Sequence, residues 1–337
     1  MSVNFTMPNM PKTGSKHKPD IFAASAFFVL AAAGLYIVPA LISLFTAVLP
    51  VSGNTLTSLS QFIYYTFFIV LPILLYMRRY PSSADTIRIN PISGKCAFLC
   101  VLAAVIGVFL INIVSSVWMI MIEIFGGTLT ESPIEIPKTT SGLISLLIFA
   151  AILPGICEEL LFRGVLLGAW EEKGSVKAMA ISSVWFTFLH ASIEGIPAEF
   201  LAGMILAFVV ISTDSLIAGM IYHTVHNSLL LILSYISERS LEAAGMTVNN
   251  SATLLDSMGG IIGVFSLLMP AAFLSGLLVL IMLALNRDRR KKNLYTFGYP
   301  PAPSRDFTVQ EYAVIGSGFA IVLIMYLTNF LEIAGWL

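Results

Sequence analysis

Long apolar runs separated by short polar connections dominate the chain. A helix that spans a bilayer needs about 20 mostly apolar residues, and nine stretches approach that length. They are 21–48, 60–77, 96–123, 142–170, 176–191, 197–212, 214–235, 260–286 and 312–335. Turn residues such as Pro197 and Gly195 separate the shorter runs. The pattern predicts an all-α, polytopic membrane helix bundle of about nine transmembrane helices.

The composition excludes several classes of soluble protein. Of the 337 residues, 57% are apolar and 11% are charged, whereas soluble domains carry about a quarter charged residues. The chain therefore has too few charges to cover a water-facing surface. A net charge of −1 also provides no basic face for nucleic acid. We expect a multi-pass integral membrane protein, located in the cell membrane if bacterial, with the lipid bilayer as a partner and no nucleic acid.

The charges in the connections predict the orientation. Lysines and arginines fall in alternate connections, namely residues 12–18, 78–95, 173–177 and 287–292. The connection 49–59 has no charge, and 124–141 carries Glu131 and Glu135 against Lys138. By the positive-inside rule the N-terminus is cytoplasmic and the C-terminus lies on the other side.

Ionisable residues within apolar spans cost several kcal/mol and are functional candidates. In the fourth span, Glu159 and Arg163 are four residues apart on one helix face, which predicts an ion pair. Glu158 lies about 140° from Arg163 around the helix and is left available as a base. Pro154 removes one helical hydrogen bond just before the pair and is expected to kink the helix.

Two further spans carry polar side chains at a similar depth. The fifth ends with Phe186 and His190, and the seventh carries His223 and Asn227 on one face. At a rise of 1.5 Å per residue, these groups and Glu158 lie about 14–20 Å from the cytoplasmic boundary. That depth is near the middle of a hydrocarbon core about 30 Å thick. The spacing therefore predicts one buried polar site.

The combined pattern resembles the CPBP family of intramembrane proteases. Its elements are Glu158-Glu159-x-x-x-Arg163, Phe186-x-x-x-His190 and His223-x-x-x-Asn227. This is the CAAX-protease and bacteriocin-processing (Abi) family, to which the type II CAAX prenyl endopeptidases belong. The resemblance implies an endopeptidase in which Glu158 and His190 activate water, while His223 and Asn227 form an oxyanion hole. Glu159 and Arg163 would support the site, and Phe186 would pack beside it.

The resemblance also suggests a division of the chain and a class of substrate. We divide it into a flexible cytoplasmic tail (1–20), N-terminal helices (21–141), a catalytic core (142–235) and C-terminal helices (236–337), the last with a basic, proline-rich cytoplasmic linker at 287–311. The expected substrate is a membrane-presented peptide or protein tail, either lipidated or a bacteriocin or signal peptide. We expect the site to open toward the cytoplasm.

Several alternatives stay open at the level of sequence. Glu158, His190 and His223 are a plausible zinc set with one position left for water, although we favour a mechanism without a cofactor. Glu158 could instead be a structural ion-pair partner, His190 could pair with Glu194, and His223 and Asn227 could bond across helices. A proton-coupled transporter is the rival class. A non-proteolytic scaffold or immunity factor is the third.

Overall fold

A computed structural model describes residues 20–46, 53–81, 87–129, 136–245, 253–291 and 308–334 of the chain. Within these ranges every regular element is a helix, as the apolar runs predict. The predicted tail lies outside the described residues except for Asp20, and most of the predicted linker, 292–307, also lies outside them.

The described helices follow the predicted runs closely. We number them α1 (Ile21–Thr46), α2 (53–79), α3 (Gly94–Ile124), α4 (Thr140–Trp170), α5 (Ser175–His190), α6 (Ile196–Thr213), α7 (Leu216–Ala243), α8 (260–291) and α9 (Val309–Ile333). A short helix, Leu254–Ser257, precedes α8. Eight of the nine are long and apolar enough to cross a membrane. The exception is α5, with 16 residues, which is shorter than the roughly 20 that a spanning helix needs.

Helix α4 is not regular along its length. It widens into π-helical turns at Ile148–Ile152 and again at Leu160–Leu166. Pro154 is the second residue of the regular segment Leu153–Glu159 between them, where its missing N–H disturbs the helical hydrogen bonds least. The disturbance expected at this proline therefore takes the form of a widened turn just before it.

Contacts between connections define the two ends of the bundle. At one end, Arg88 forms ion pairs with Glu171 and with Asp214, whose carboxylate lies 3.1 Å from Arg88 Nε. At the other end, Trp118 Nε1 donates to the carbonyl of Ile193 over 2.8 Å. The three connections that hold Arg88, Glu171 and Asp214, all predicted to be cytoplasmic, therefore do lie together, and Trp118 near the far end of α3 contacts the connection after α5.

Glycines allow the helices around the motifs to pack closely. A Cβ atom added to Gly155 of α4 would lie 2.9 Å from the backbone nitrogen of Thr224 in α7. One added to Gly203 of α6 would lie 3.0 Å from the Cα of Ser183 in α5. These contacts hold α4, α5, α6 and α7 together at the level of the polar residues.

Candidate active site

The predicted ion pair of α4 is present and fully buried. Arg163 Nη1 donates to Glu159 Oε1 over 2.8 Å, and both side chains have no exposed surface. Arg163 Nη2 also donates to the carbonyl of Gly203 over 3.2 Å. The guanidinium is therefore committed to Glu159 and to the backbone of α6. The ion pair is the contact that the spacing of the two residues predicts.

Glu158 occupies a different environment from its neighbour. Tyr65 of α2 donates its hydroxyl to Glu158 Oε1 over 2.6 Å. The second oxygen, Oε2, is buried and has no hydrogen-bond partner within the described part of the chain. It lies 4.0 Å from His223 Nε2. Glu158 thus keeps one oxygen free toward His223, and it forms no ion pair with Arg163.

His223 connects the two carboxylates. Its Nδ1 lies 2.9 Å from Glu159 Oε1, and a carboxylate held by Arg163 can only accept from it. The proton of the His223 ring is therefore on Nδ1. Its hydrogen bond to the Glu159 carboxylate fixes the tautomer and the orientation of the ring. Nε2 is left facing Glu158. Side chains of α2, α4 and α7 thus meet in one buried network.

His190 ends α5 beside Phe186. Its Nδ1 lies 2.9 Å from the carbonyl of Phe186, and the two rings are 4.6 Å apart. Ala191 then turns the chain with φ at 51°. The Phe186 ring also contacts His223 at 5.8 Å and the Arg163 guanidinium at 4.5 Å. Phe186 therefore packs against three predicted site residues.

A cavity of about 270 Å³ brings these elements together. Its wall includes His190, His223, Asn227 and Phe186, contributed by α5 and α7. Glu158, Glu159 and Arg163 do not line it, and Glu158 connects to it through His223. The predicted residues therefore form two adjoining groups, a cavity wall and a buried carboxylate network.

Several residues around this site were not among those predicted from the sequence. Glu199, in the first turn of α6, lines the cavity, and its Oε2 is buried without a hydrogen-bond partner in the described chain. Asn112 and Ser115 of α3 also line the cavity. Glu199 lies in the first turn of the predicted span 197–212 and satisfies the rule for ionisable residues in spans, so the sequence did carry a signal for it. For Tyr65, a tyrosine in an apolar run, the sequence carries no signal.

The alternative zinc set is not assembled. Among the described residues, no three His, Cys, Asp or Glu side chains are grouped closely enough to hold a metal ion. Glu158 Oε1 accepts from Tyr65, and the Nδ1 atoms of His223 and His190 face Glu159 and a backbone carbonyl. Zinc-bound histidines commonly make such Nδ1 bonds while they bind the metal through Nε2, so the zinc set stays a prediction that this arrangement does not assemble.

Comparison with known families agrees with the motifs. Residues 140–229 match the family model described as type II CAAX prenyl endopeptidase, Rce1-like. The matched segment contains all three motifs, from Glu158 to Asn227. No curated protein and no solved structure matches the chain. The predicted family resemblance is thus confirmed over this segment, which is similar to the type II CAAX prenyl endopeptidases, and the chain is a multi-pass integral membrane protein.

Proposed function

We propose that the protein is an intramembrane endopeptidase that hydrolyses a peptide bond with water activated by Glu158 and His190. The observation that carries the proposal is the buried network in which Glu158 Oε2 is free and faces His223 Nε2 across 4.0 Å. A free carboxylate oxygen inside a membrane bundle is costly. The presence of this free oxygen within the family-matched segment favours a chemical role for Glu158 over a structural role.

Water activation requires a base near the scissile carbonyl. The Nδ1 of His190 faces a backbone carbonyl and must carry the proton of that hydrogen bond. In the neutral ring Nε2 is then the unprotonated atom, which can accept a proton from water. Glu158 provides the negative charge that stabilises the proton after transfer. The two groups together would generate the attacking hydroxide.

The tetrahedral intermediate carries a negative oxygen that needs hydrogen-bond donors. Asn227 lines the cavity one helical turn after His223 and supplies an amide N–H. His223 Nδ1 already donates to Glu159, so Nε2 can donate only when the ring carries both protons. The carboxylates of Glu159 and Glu158 on either side offset the positive charge of that form. Glu159 and Arg163 would thus act by positioning His223.

The substrate would be a membrane-presented peptide or protein tail, because the site lies within the bundle. A prenylated tail is the substrate class that the family description suggests. A bacteriocin or signal peptide is the alternative. The cavity, at about 270 Å³, holds a few residues of an extended peptide at most, which favours recognition at or close to the scissile bond.

The two alternative functions make different demands on the same residues. A proton-coupled transporter needs a polar path to both faces, and the cavity is closed at one end by buried apolar side chains such as Leu206. A scaffold or immunity factor needs no free carboxylate. The scaffold therefore does not account for Glu158 Oε2, and a transporter, which could use that carboxylate as a proton carrier, would still need a path through the closed end of the cavity.

The test is cleavage of a membrane-presented peptide library by the purified, reconstituted full chain, with and without a chelator. We expect products from the wild-type protein in both conditions and none from Glu158→Gln. Loss of cleavage with the chelator, restored by added zinc, would overturn the mechanism without a metal. A wild-type protein that cleaves no peptide while Glu158→Gln abolishes a coupled ion flux would support the transporter instead.

A further inference from the structure

The two ends of the cavity differ in burial, and we propose that it receives its substrate from the non-cytoplasmic side of the membrane. This inference rests on the proposed function and narrows the substrate class. The substrate would be a peptide segment presented at or beyond the outer face of the bilayer. The expectation from the sequence was the opposite, a site open to the cytoplasm.

One end of the cavity is closed by packed side chains. Leu206 and Tyr222 line it there and are 1% and 0% exposed. Beyond them along α6 and α7, Val210, Leu216 and Ala218 are completely buried. A peptide could not enter from this end without separating α6 from α7. We call this end the floor.

The opposite end of the cavity is open. His190 is exposed, and Glu199 and Asn227 are half-buried although they line the cavity. Ser115 of α3 and Leu230 of α7 are half-buried at the same end. Counted along the helix from Thr213, Leu206 lies about 10 Å away and Glu199 about 21 Å. The open end, which we call the mouth, is therefore in the outer half of the bundle.

The contacts made by the connections identify which end of the bundle the floor and the mouth of the cavity face. The floor lies toward the turn at Asp214, which is paired with Arg88. The mouth lies toward the connection at Ile193, which is bonded to Trp118. The positively charged connections all belong to the floor end; they contain Arg78, Arg79, Arg88, Lys95, Lys173 and Lys177. By the positive-inside rule the floor faces the cytoplasm.

The charged groups at the mouth narrow the class of substrate further. Glu199 brings a carboxylate to the cavity, and no lysine or arginine lines it. Arg163, the nearest buried cation on α4, is committed to Glu159 and Gly203. An acidic peptide would meet the Glu199 carboxylate with only histidines, and no lysine or arginine, on the cavity wall beside it. The mouth therefore suits a neutral or positively charged segment.

The test measures from which side single cysteines at the mouth can be labelled. Ser115→Cys and Leu230→Cys place a thiol at the mouth, while Val176→Cys marks the floor end and Glu242→Cys the opposite end. Val176 and Glu242 are both exposed. The unsubstituted chain is the blank, because Cys96, Cys100 and Cys157 are buried. The full-length variants would be treated in sealed right-side-out vesicles with a membrane-impermeant sulfonated maleimide.

We expect Ser115→Cys, Leu230→Cys and Glu242→Cys to be labelled from outside, and Val176→Cys only after the vesicles are opened. Inside-out vesicles should give the reverse pattern. Labelling of the mouth cysteines only from the cytoplasmic side would overturn the proposal. So would their failure to react from either side while the permeant N-ethylmaleimide still reacts, since the mouth would then face lipid.

This experiment separates the inference from the proposed function. Labelling reports access to the mouth and requires no cleavage, so adding Glu158→Gln to each variant should leave the pattern unchanged. A reversed pattern with intact cleavage would reject the direction of entry alone. The predicted pattern without any cleavage would reject the protease and leave the outward-facing cavity.

Discussion

Glu158 and Glu159 are adjacent in sequence but differ in their partners. Glu159 is bound by Arg163 and by His223, whereas Glu158 is bound only through one oxygen by Tyr65 in the described structure. Glu159 is therefore structural, and Glu158 is available for chemistry. This difference gives the most specific predictions of the account.

Glu159→Gln should destabilise the protein more than Glu158→Gln does. Removing one partner of a buried ion pair leaves the other charge uncompensated, at a cost of about 3–5 kcal/mol, and Arg163 has no exposed surface. Thermal unfolding of both variants in the same detergent would measure the difference. Equal melting temperatures would mean that the Arg163 guanidinium does not depend on Glu159.

Tyr65→Phe should lower kcat about tenfold while the protein stays folded. The hydroxyl donates to Glu158 at 2.6 Å, and hydrogen bonds to charged groups contribute about 1.5–3 kcal/mol. Tyr64→Phe is the matched control, because the buried Tyr64 hydroxyl has no hydrogen-bond partner in the described chain. A Tyr65→Phe enzyme with wild-type kcat would show that Glu158 needs no support from α2.

Asn227→Ala should lower kcat by about 10²–10³ with little change in KM, as expected for loss of one oxyanion donor. The control is Asn112→Ala, since both amides line the cavity but that of Asn112 donates to Val108 of its own helix. Steady-state kinetics on one cleaved peptide would separate kcat from KM. A change in KM alone would assign Asn227 to substrate binding.

At this scale the sequence predicted some contacts and missed others for definite reasons. The pair Glu159–Arg163 was predictable because residues i and i+4 meet on any helix. The bonds of Glu158 to Tyr65 and of His223 to Glu159 join helices far apart in sequence, and no local spacing encodes them. Glu199 was missed although it lies in the first turn of the predicted span 197–212, where the rule for ionisable residues in spans applies to it.

At the scale of helices, the crossing of α4 and α7 at Gly155 and Thr224 holds the site together. Gly155 lies three residues before Glu158, and Thr224 follows His223 directly. The approach of the two helices therefore sets the distance between the Glu158 carboxylate and the His223 ring. The positions of the helices were predictable from the hydrophobic runs. This crossing was not predictable, because a glycine in an apolar run does not indicate which residue of another helix it will pack against.

Gly155→Ala should reduce both stability and cleavage. The added Cβ would lie 2.4 Å from Thr224 Oγ1 and 2.9 Å from its backbone nitrogen, so the two helices must move apart. Overpacking of this kind costs about 1–3 kcal/mol. Melting temperature and kcat would be measured together, and a fully active, stable variant would contradict the close crossing.

Gly316→Ala in α9 is the matched control for that substitution. A Cβ added there has no atom within 4 Å, and alanine stabilises a helix interior by about 0.5–1 kcal/mol relative to glycine. We expect unchanged cleavage and an equal or higher melting temperature. A loss of activity here would mean that alanine substitutions in the bundle act through a general effect rather than through the crossing.

At the scale of the whole molecule, the bundle encloses a polar site in its middle and closes it toward the basic end. The alternation of charged connections predicted which connections lie together, because it reflects a physical constraint on insertion. It did not predict where the cavity opens. That depends on whether side chains such as Tyr222 and Leu206 fill the space between helices, which is a property of packing.

The measurement that tests the central claim most directly is peptide cleavage by reconstituted Glu158→Gln beside the wild-type protein. Glu242→Gln is the matched control, since that carboxylate is exposed on α7 and far from the cavity. With products identified by mass, the account predicts cleavage at one bond by the wild type and by Glu242→Gln, and none by Glu158→Gln. Undiminished cleavage by a folded Glu158→Gln protein would contradict it.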